Sequence, residues 1–216
     1  MITTSPVTFI LLMAALGLMP FFLMMVTSYV KIVVVTTLVR NALGVQQVPP
    51  AMVLNGLAMV LTLFVMAPVA LDTWKLAKGS GLDIQSDASR LVPFLAAASP
   101  PLKGFLDRNT DRQTLSAFKS AAQRLWPPEY RDGIDEAGFL LLIPAFVITE
   151  LTKAFKIGFL LYMPFIVIDL VISNILLAMG MMMVSPMTIS LPFKLLLFVT
   201  LDGWLKISQG LMYSYN

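Results

Sequence analysis

Apolar residues form long runs in both halves of the chain, separated by a polar central third. The first run, residues 7–26, has no charged residue and is long enough to cross a hydrocarbon layer about 30 Å thick. The second run covers residues 51–71. The Pro49–Pro50 step before it disfavours helix on its N-terminal side, so we expect a helix from Pro50 or Ala51.

After residue 138 the pattern is apolar again but irregular. Charged side chains interrupt it at residues 150–156, where we expect a hinge, and Pro164 breaks the longest run. The resulting apolar segments are short, broken or charged rather than clean spans: 139–149, 157–184 and 187–205. Broken helices at membrane depth are tolerated only when they are buried in protein or line a water-filled path. The pattern therefore predicts a subunit that packs against other subunits.

The polar third divides the chain into three parts. N-terminal hydrophobic helices are expected over residues 1–71, a polar and mostly helical domain over 72–138, and hydrophobic hairpins with a methionine loop over 139–216. The polar part holds 18 of the 27 charged residues, and helices are expected in it at 85–98 and 110–126. The predicted fold is all-α: membrane-associated helical hairpins with an inserted polar helical domain.

The first cations, Lys31 and Arg40, follow the first apolar run, and no cation precedes it. No small-residue cleavage site with a polar start follows that run, so we interpret it as a transmembrane helix rather than a secretory signal. By the positive-inside rule, the 31–49 connection is expected to be cytoplasmic, with the N-terminus and residues 72–138 on the other side.

The composition indicates a membrane protein and excludes several classes of functional site. Hydrophobic residues make up 58% of the chain and charged residues only 12%, about half the share typical of soluble domains. The chain has no cysteine and no histidine, which excludes disulfides, thiolate zinc sites and histidine-based catalytic triads. No phosphate-binding glycine loop occurs, and no basic cluster with interleaved aromatics. We expect no cofactor, no metal, no nucleic-acid partner and no enzymatic activity.

Two charges in the apolar half lack a local partner. Other charges there can pair within a helix, Glu150 with Lys153 and Asp202 with Lys206. Asp169 and Lys194 cannot, and a lone charge at mid-membrane depth costs about 2.5–3.5 kcal/mol. We therefore expect these two side chains to pair across a hairpin that turns at residues 180–186. A buried pair that fixes hairpin or subunit register is the favoured role, and a proton relay is a weaker alternative because no histidine accompanies the carboxylate.

Three successive methionines, Met181, Met182 and Met183, stand between Gly180 and the Ser185–Pro186 step. They cannot all face one side of a helix, so we expect them in a turn or loop. Methionine is flexible and weakly polar, and it moulds itself to varied surfaces. Ordinary core filling is one interpretation. In a ring of subunits the same loop would form a soft collar around an unfolded chain.

Two long segments resemble the R-type export-gate subunit of bacterial type III secretion systems, and more distantly the flagellar P export protein. These are residues 28–69, SYVKIVVVTTLVRNALGVQQVPPAMVLNGLAMVLTLFVMAPV, and residues 155–199, FKIGFLLYMPFIVIDLVISNILLAMGMMMVSPMTISLPFKLLLFV. The resemblance implies a methionine collar at residues 181–183 and a functional charge pair at Asp169 and Lys194.

The resemblance also implies an assembly. Five copies would join S-type and T-type subunits in a helical, cone-shaped ring, with a U-type export switch protein and an export-gate ring protein as further partners. The gate would be a multi-pass assembly of the bacterial inner membrane, in contact with membrane lipids and within the basal body of the secretion system. Unfolded secreted proteins would pass through its centre.

Two other classes of function compete with this interpretation. A small-solute transporter or ion-channel subunit would favour an inverted repeat, and none is apparent in the sequence. An intramembrane enzyme would need paired aspartates or a Ser-Lys set, and Asp169 has no acidic partner in a comparable segment.

Overall fold

The computed structural model describes residues 6–45, 48–79, 97–131 and 138–215. The regular structure in these ranges is helical, which confirms the all-α prediction. A short 3-10 turn over Pro128–Tyr130 follows the fifth of the α-helices. The helices are α1 Pro6–Met25, α2 Tyr29–Leu43, α3 Ala51–Gly79, α4 Pro100–Asn109, α5 Arg112–Leu125, α6 Phe139–Ala178, α7 Pro186–Thr200 and α8 Gly203–Tyr213.

Helix α2 lies at the centre of the fold and not in an exposed connection. Ile32, Val35 and Val39 recur on its buried face at the spacing of one helix stripe. Lys31 is also buried, with only 1% of its surface exposed. Residues 29–43 are thus a packed helix and not an exposed connection, and the cytoplasmic location of residues 31–49 stays a prediction. The positive-inside argument treats each cation as exposed, whereas the charge of Lys31 is balanced inside the protein.

Helix α3 begins at Ala51, as predicted, but continues to Gly79, beyond the apolar run that ends at residue 71. Pro68 lies inside it without ending it. Together α3 and α6 are the two described helices that are individually long and apolar enough to cross a membrane, and the count rises to four if each of two bent helix pairs is one span. Those pairs bend by 74° between α1 and α2 and by 58° between α7 and α8.

The described part of the polar region consists mainly of α4 and α5. Helix α5 matches the predicted 110–126 helix within two residues at each end. Most of the predicted 85–98 helix lies outside the described residues. Asp111 begins α5 by accepting a hydrogen bond from the Thr114 backbone N–H at 3.0 Å. That bond and a second from the Thr114 hydroxyl hold the pKa of the Asp111 carboxyl below its usual value.

Helix α6 is continuous over 40 residues, about 60 Å at the α-helical rise. The expected hinge at residues 150–156 is therefore wrong. Pro144 and Pro164 are both accommodated inside the helix. Glu150 does not mark a break in α6, since it is fully buried and its charge is balanced by neighbouring helices.

The chain reverses after α6, as expected from the 180–186 sequence, and α7 returns along α6. Gly180 has a φ of +72°, a left-handed conformation that favours glycine. The Met181 N–H donates to the Leu176 carbonyl at 2.9 Å and the Gly180 N–H to the Leu177 carbonyl at 3.0 Å. This pair of bonds is the Schellman motif that ends a helix.

Two hydrophobic clusters lie along α6. The first joins α6 with α2, α3, α7 and α8 and includes Val39, Phe165 and Phe198. The second joins the N-terminal part of α6 with α4 and α5 and includes Phe105 and Phe146. Helix α6 thus ties the polar region to the apolar hairpin, and residues near 150 lie where the clusters meet.

We predict that Gly158→Ala loosens the contact between α2 and α6. A methyl group at residue 158 would lie 2.3 Å from Leu38 Cδ1 and 3.2 Å from Leu38 Cβ. We expect a loss of about 1–3 kcal/mol in the free energy of unfolding, measured by thermal unfolding in detergent, and partial recovery when Leu38→Ala is added. Gly56→Ala is the matched control because its added methyl group meets no atom within 4 Å. Equal stability of the two glycine variants would contradict the close packing.

Candidate functional site

Asp169 and Lys194 meet across the hairpin of α6 and α7. Lys194 Nζ lies 2.6 Å from Asp169 Oδ2, and Ser190 Oγ donates to Asp169 Oδ1 at 2.5 Å. Ser190 precedes Lys194 by one helical turn, so both residues lie on the face of α7 that packs on α6. The structure brings together the two charged residues that the sequence analysis paired and adds a hydroxyl that it did not identify.

Lys194 also stabilises the end of a third helix. Its Nζ lies 3.3 Å from the carbonyl oxygen of Ala42, in the last turn of α2. Carbonyl groups there have no partner within the helix, and the helix dipole favours a cation at that end. The lysine side chain is 4% exposed but the Asp169 side chain is 33% exposed. One edge of the carboxylate therefore remains accessible at the surface of a single chain.

A second charged cluster surrounds Glu150, which has no exposed surface. Lys31 Nζ lies 3.2 Å from Glu150 Oε2, and Lys153 Nζ lies 3.3 Å from Glu150 Oε1. The Tyr215 hydroxyl donates a short hydrogen bond to Glu150. The Lys31 ammonium also lies 3.5 Å from the centre of the Tyr215 ring, at the distance of a cation–π contact.

Sequence reasoning identified only the local part of this second cluster. The Glu150–Lys153 ion pair was predicted from its spacing of three residues and is present. Lys31 is 119 residues away from Glu150 along the chain, and Tyr215 is close to the C-terminus. No periodic pattern connects residues so far apart. The available signal was that Lys31 stands in the first turn of α2, directly before the apolar run of residues 32–35.

The Glu150 cluster also contacts the polar region. Lys153 Nζ lies 2.7 Å from the carbonyl oxygen of Asn109, at the end of α4. One turn earlier on α6, the Thr149 hydroxyl accepts a hydrogen bond from the Asp111 N–H at 3.2 Å. The connection between α4 and α5 is therefore held on α6 beside a buried charge.

The three methionines lie in the connection between α6 and α7, as predicted. Met181 is 40% exposed, Met182 82% and Met183 100%. In one copy of the chain, Met182 and Met183 therefore contribute almost nothing to the core. Their thioether side chains are positioned by the end of a long helix and remain free to contact another molecule.

Asp202 and Lys206 do not form the predicted ion pair in the described part of the chain. The prediction assumed a regular helix from residue 202 to residue 206, but α7 ends at Thr200 and α8 begins only at Gly203. Asp202 has a φ of +52° between them, so its side chain does not follow the regular helical spacing. The described residues also contain no cluster of three or more acidic residues that could hold a metal ion.

Comparisons with known proteins cover almost the whole chain. The protein family described as the FliP family matches residues 12–211 of this chain. "Yop proteins translocation protein R" from Yersinia pestis is 50% identical over 210 residues, which are 97% of this chain and 96% of the relative. "Hypersensitivity response secretion protein HrcR" from Ralstonia nicotianae is 48% identical over 209 residues, 96% of each chain. "Virulence protein YscR" from Salmonella typhimurium is 45% identical over 218 residues, 98% of each chain.

We predict that Glu150→Gln destabilises the protein by about 3–5 kcal/mol, because it leaves Lys31 buried without a counter-charge. Adding Lys31→Met should recover part of that loss, since it removes the unbalanced charge. Thermal unfolding in detergent measures both effects. The control is Asp72→Asn, which breaks an exposed pair with Lys75 and should cost at most about 1 kcal/mol. If the double variant loses as much stability as Glu150→Gln and Lys31→Met lose in sum when made separately, the two side chains are not directly coupled and the prediction is contradicted.

Proposed function

The chain belongs to the FliP family, and from that premise we propose that it is a core subunit of the export gate of a bacterial type III secretion system. Relatives about half identical over nearly their full length are named as translocation and secretion proteins. Because these matches cover nearly the full length of both chains, we infer that this chain has the same overall architecture as the relatives. A small-solute transporter or ion-channel role is not favoured by any of these relatives.

The observation that carries the mechanism is the exposed methionine loop. Met182 and Met183 follow the Schellman motif that ends α6, and their side chains do not pack in the core. Thioether side chains adapt their shape and do not require hydrogen bonds from what they contact. We propose that Met181, Met182 and Met183 of several copies form a collar around the export path. Such a collar would accept an unfolded chain of any sequence and close when no chain is present.

A collar requires several copies around one axis. Only 17% of the apolar window of α3 and 11% of that of α6 is buried within one chain, so most of both helices must be covered by lipid or by protein. We propose five copies assembled with S-type and T-type subunits in a helical ring in the bacterial inner membrane, within the basal body. The U-type export switch protein and the export-gate ring protein are proposed as further neighbours.

The Asp169–Lys194 pair has a structural role in this proposal. It joins α6 to α7 on the side of the methionine loop, and Lys194 also contacts the end of α2. Fixing these three helices holds the loop at one position relative to the rest of the subunit. The exposed edge of Asp169 adds a contact site for a neighbouring chain. A proton relay is a weaker interpretation because the carboxylate is already held by Lys194 and Ser190.

We propose that the subunit is passive and not an enzyme. The sequence has no histidine or cysteine and no nucleotide-binding glycine loop. The energy for export must therefore come from other components of the system. The subunit would supply a shaped, sequence-tolerant path.

We predict that Asp169→Asn and Lys194→Gln each weaken assembly of the gate. The lysine change leaves Asp169 without its cation, and the aspartate change leaves a buried ammonium held mainly by the Ala42 carbonyl. The double variant should recover assembly, because neither charge is then left alone. Native gel electrophoresis measures assembly, and secretion is followed in the same strains. If Asp169→Asn assembles normally but does not secrete, the structural role is wrong and a role in transport replaces it.

We predict that Met182→Cys contacts a substrate stalled during export. The chain has no cysteine, so a thiol-reactive probe on the substrate can react with this subunit only at the introduced residue. Phe64→Cys, on an exposed position of α3, is the control and should give no cross-link. No reaction at residue 182 in a complex that still secretes would place the methionines outside the export path.

A further inference from the structure

One charged residue stands alone on the outer face of α6. Lys156 forms no ion pair or hydrogen bond with any described residue, unlike Lys153 one turn earlier. At about 100° per residue it lies on the opposite side of the helix from the buried Phe165. Its neighbours on this outer face are apolar and exposed, and they include Phe159 (59%), Leu160 (69%) and Val167 (55%). A cation on an apolar face is a site at which an anionic group of another molecule can bind.

A groove on another part of the molecule offers such a group. It has a volume of about 540 Å³ and is built by the end of α2, the connection after it, α7 and α8. Its walls are largely apolar, with Val45, Phe198 and Leu205 among them, and Asp202 also lines it. The Asp202 carboxylate has no partner among the described residues, since it does not pair with Lys206. The groove therefore combines an apolar floor with one unbalanced negative charge.

The two surfaces have complementary chemistry and lie on different sides of the subunit. Helices α2 and α7 pack on the face of α6 that carries Phe165, whereas Lys156 faces away from them. One chain therefore cannot bring its own Lys156 face into its own groove. A second copy can, and a contact between two different surfaces of identical subunits is the head-to-tail type that closes into rings.

The two surfaces also lie within a few helical turns of each other along α6. Leu161, Pro164 and Phe165 of α6 line a common pocket with Leu201 and Gly203, the residues on either side of Asp202. Lys156 precedes these three α6 residues by five to nine positions, about 7.5–13.5 Å along the helix. Neighbouring copies in a helical ring are offset in height, and an offset of this size brings Lys156 of one copy level with Asp202 of the next.

We propose that the apolar face of α6 around Lys156 in one copy docks into the α2–α7–α8 groove of the next copy, with Lys156 paired to Asp202 across the interface. This inference rests on the proposed function, because it takes the gate to contain a ring of copies. It identifies the two surfaces that hold neighbouring copies together. The contact would leave the methionine loop outside the interface, at the far end of α6.

The test uses cysteines beside the charges, so that the charges themselves are retained. Leu160→Cys lies one turn from Lys156, and Leu205→Cys lines the groove. In membranes containing the complete secretion system, mild oxidation of the double-cysteine chain should give a ladder of disulfide-linked copies. Either single-cysteine variant should give none. A symmetric dimer from one single variant, or a cross-link from Leu205→Cys to a different polypeptide, would overturn the proposal.

Charge variants in the double-cysteine background then test the pairing itself. Lys156→Asp should reduce the ladder by about tenfold, because it places two carboxylates opposite each other, and adding Asp202→Lys should restore it. Asp72→Lys, at an exposed site on α3, is the control and should leave the ladder unchanged. If no ladder forms while secretion and substrate contact at Met182→Cys persist, the interface is wrong and the proposed function stands. If substrate contact at residue 182 is also lost in a secreting strain, the collar fails independently.

Discussion

Glu150 is completely buried where two hydrophobic clusters meet, so its charge must be balanced from within the protein. Lys31 supplies the balance from α2, Lys153 from the next turn of α6, and Tyr215 adds a hydroxyl from the end of the chain. A buried charge of this kind is strongly unfavourable when a partner is missing. The arrangement therefore fixes the register of α2 on α6 and holds the C-terminal residues against both.

The rest of the architecture follows from α6. Its N-terminal part packs with α4 and α5, and its C-terminal part packs with α2 and α7. Two lysines make the same kind of contact with a helix end. Lys153 contacts the last carbonyl of α4, and Lys194 contacts a carbonyl in the last turn of α2. Each cation compensates a helix end and a carboxylate together. Charges that looked costly in an apolar sequence are thus the points at which helices are joined.

The methionine loop depends on this framework but contributes little to it. Met182 and Met183 are almost fully exposed in one chain and can gain partners only from another molecule. The proposed collar and the proposed contact between copies are consequences of the same property: a single chain leaves most of α3 and α6 uncovered. The uncovered surface of these helices must be covered by lipid or by other proteins.

The sequence by itself determined the helical class, the start of α3 at Ala51, the α5 helix, the reversal at residues 180–186 and the choice of Asp169 and Lys194 as partners. Each depends on local chemistry: apolar run length, proline and glycine positions, and charges without a neighbour one turn away. Tertiary structure alone decided that Lys31 is buried, that α6 continues through residues 150–156, and that Asp202 does not pair with Lys206. Those outcomes depend on whether a distant helix supplies a counter-charge or ends early, and no pattern within a short window carries that information.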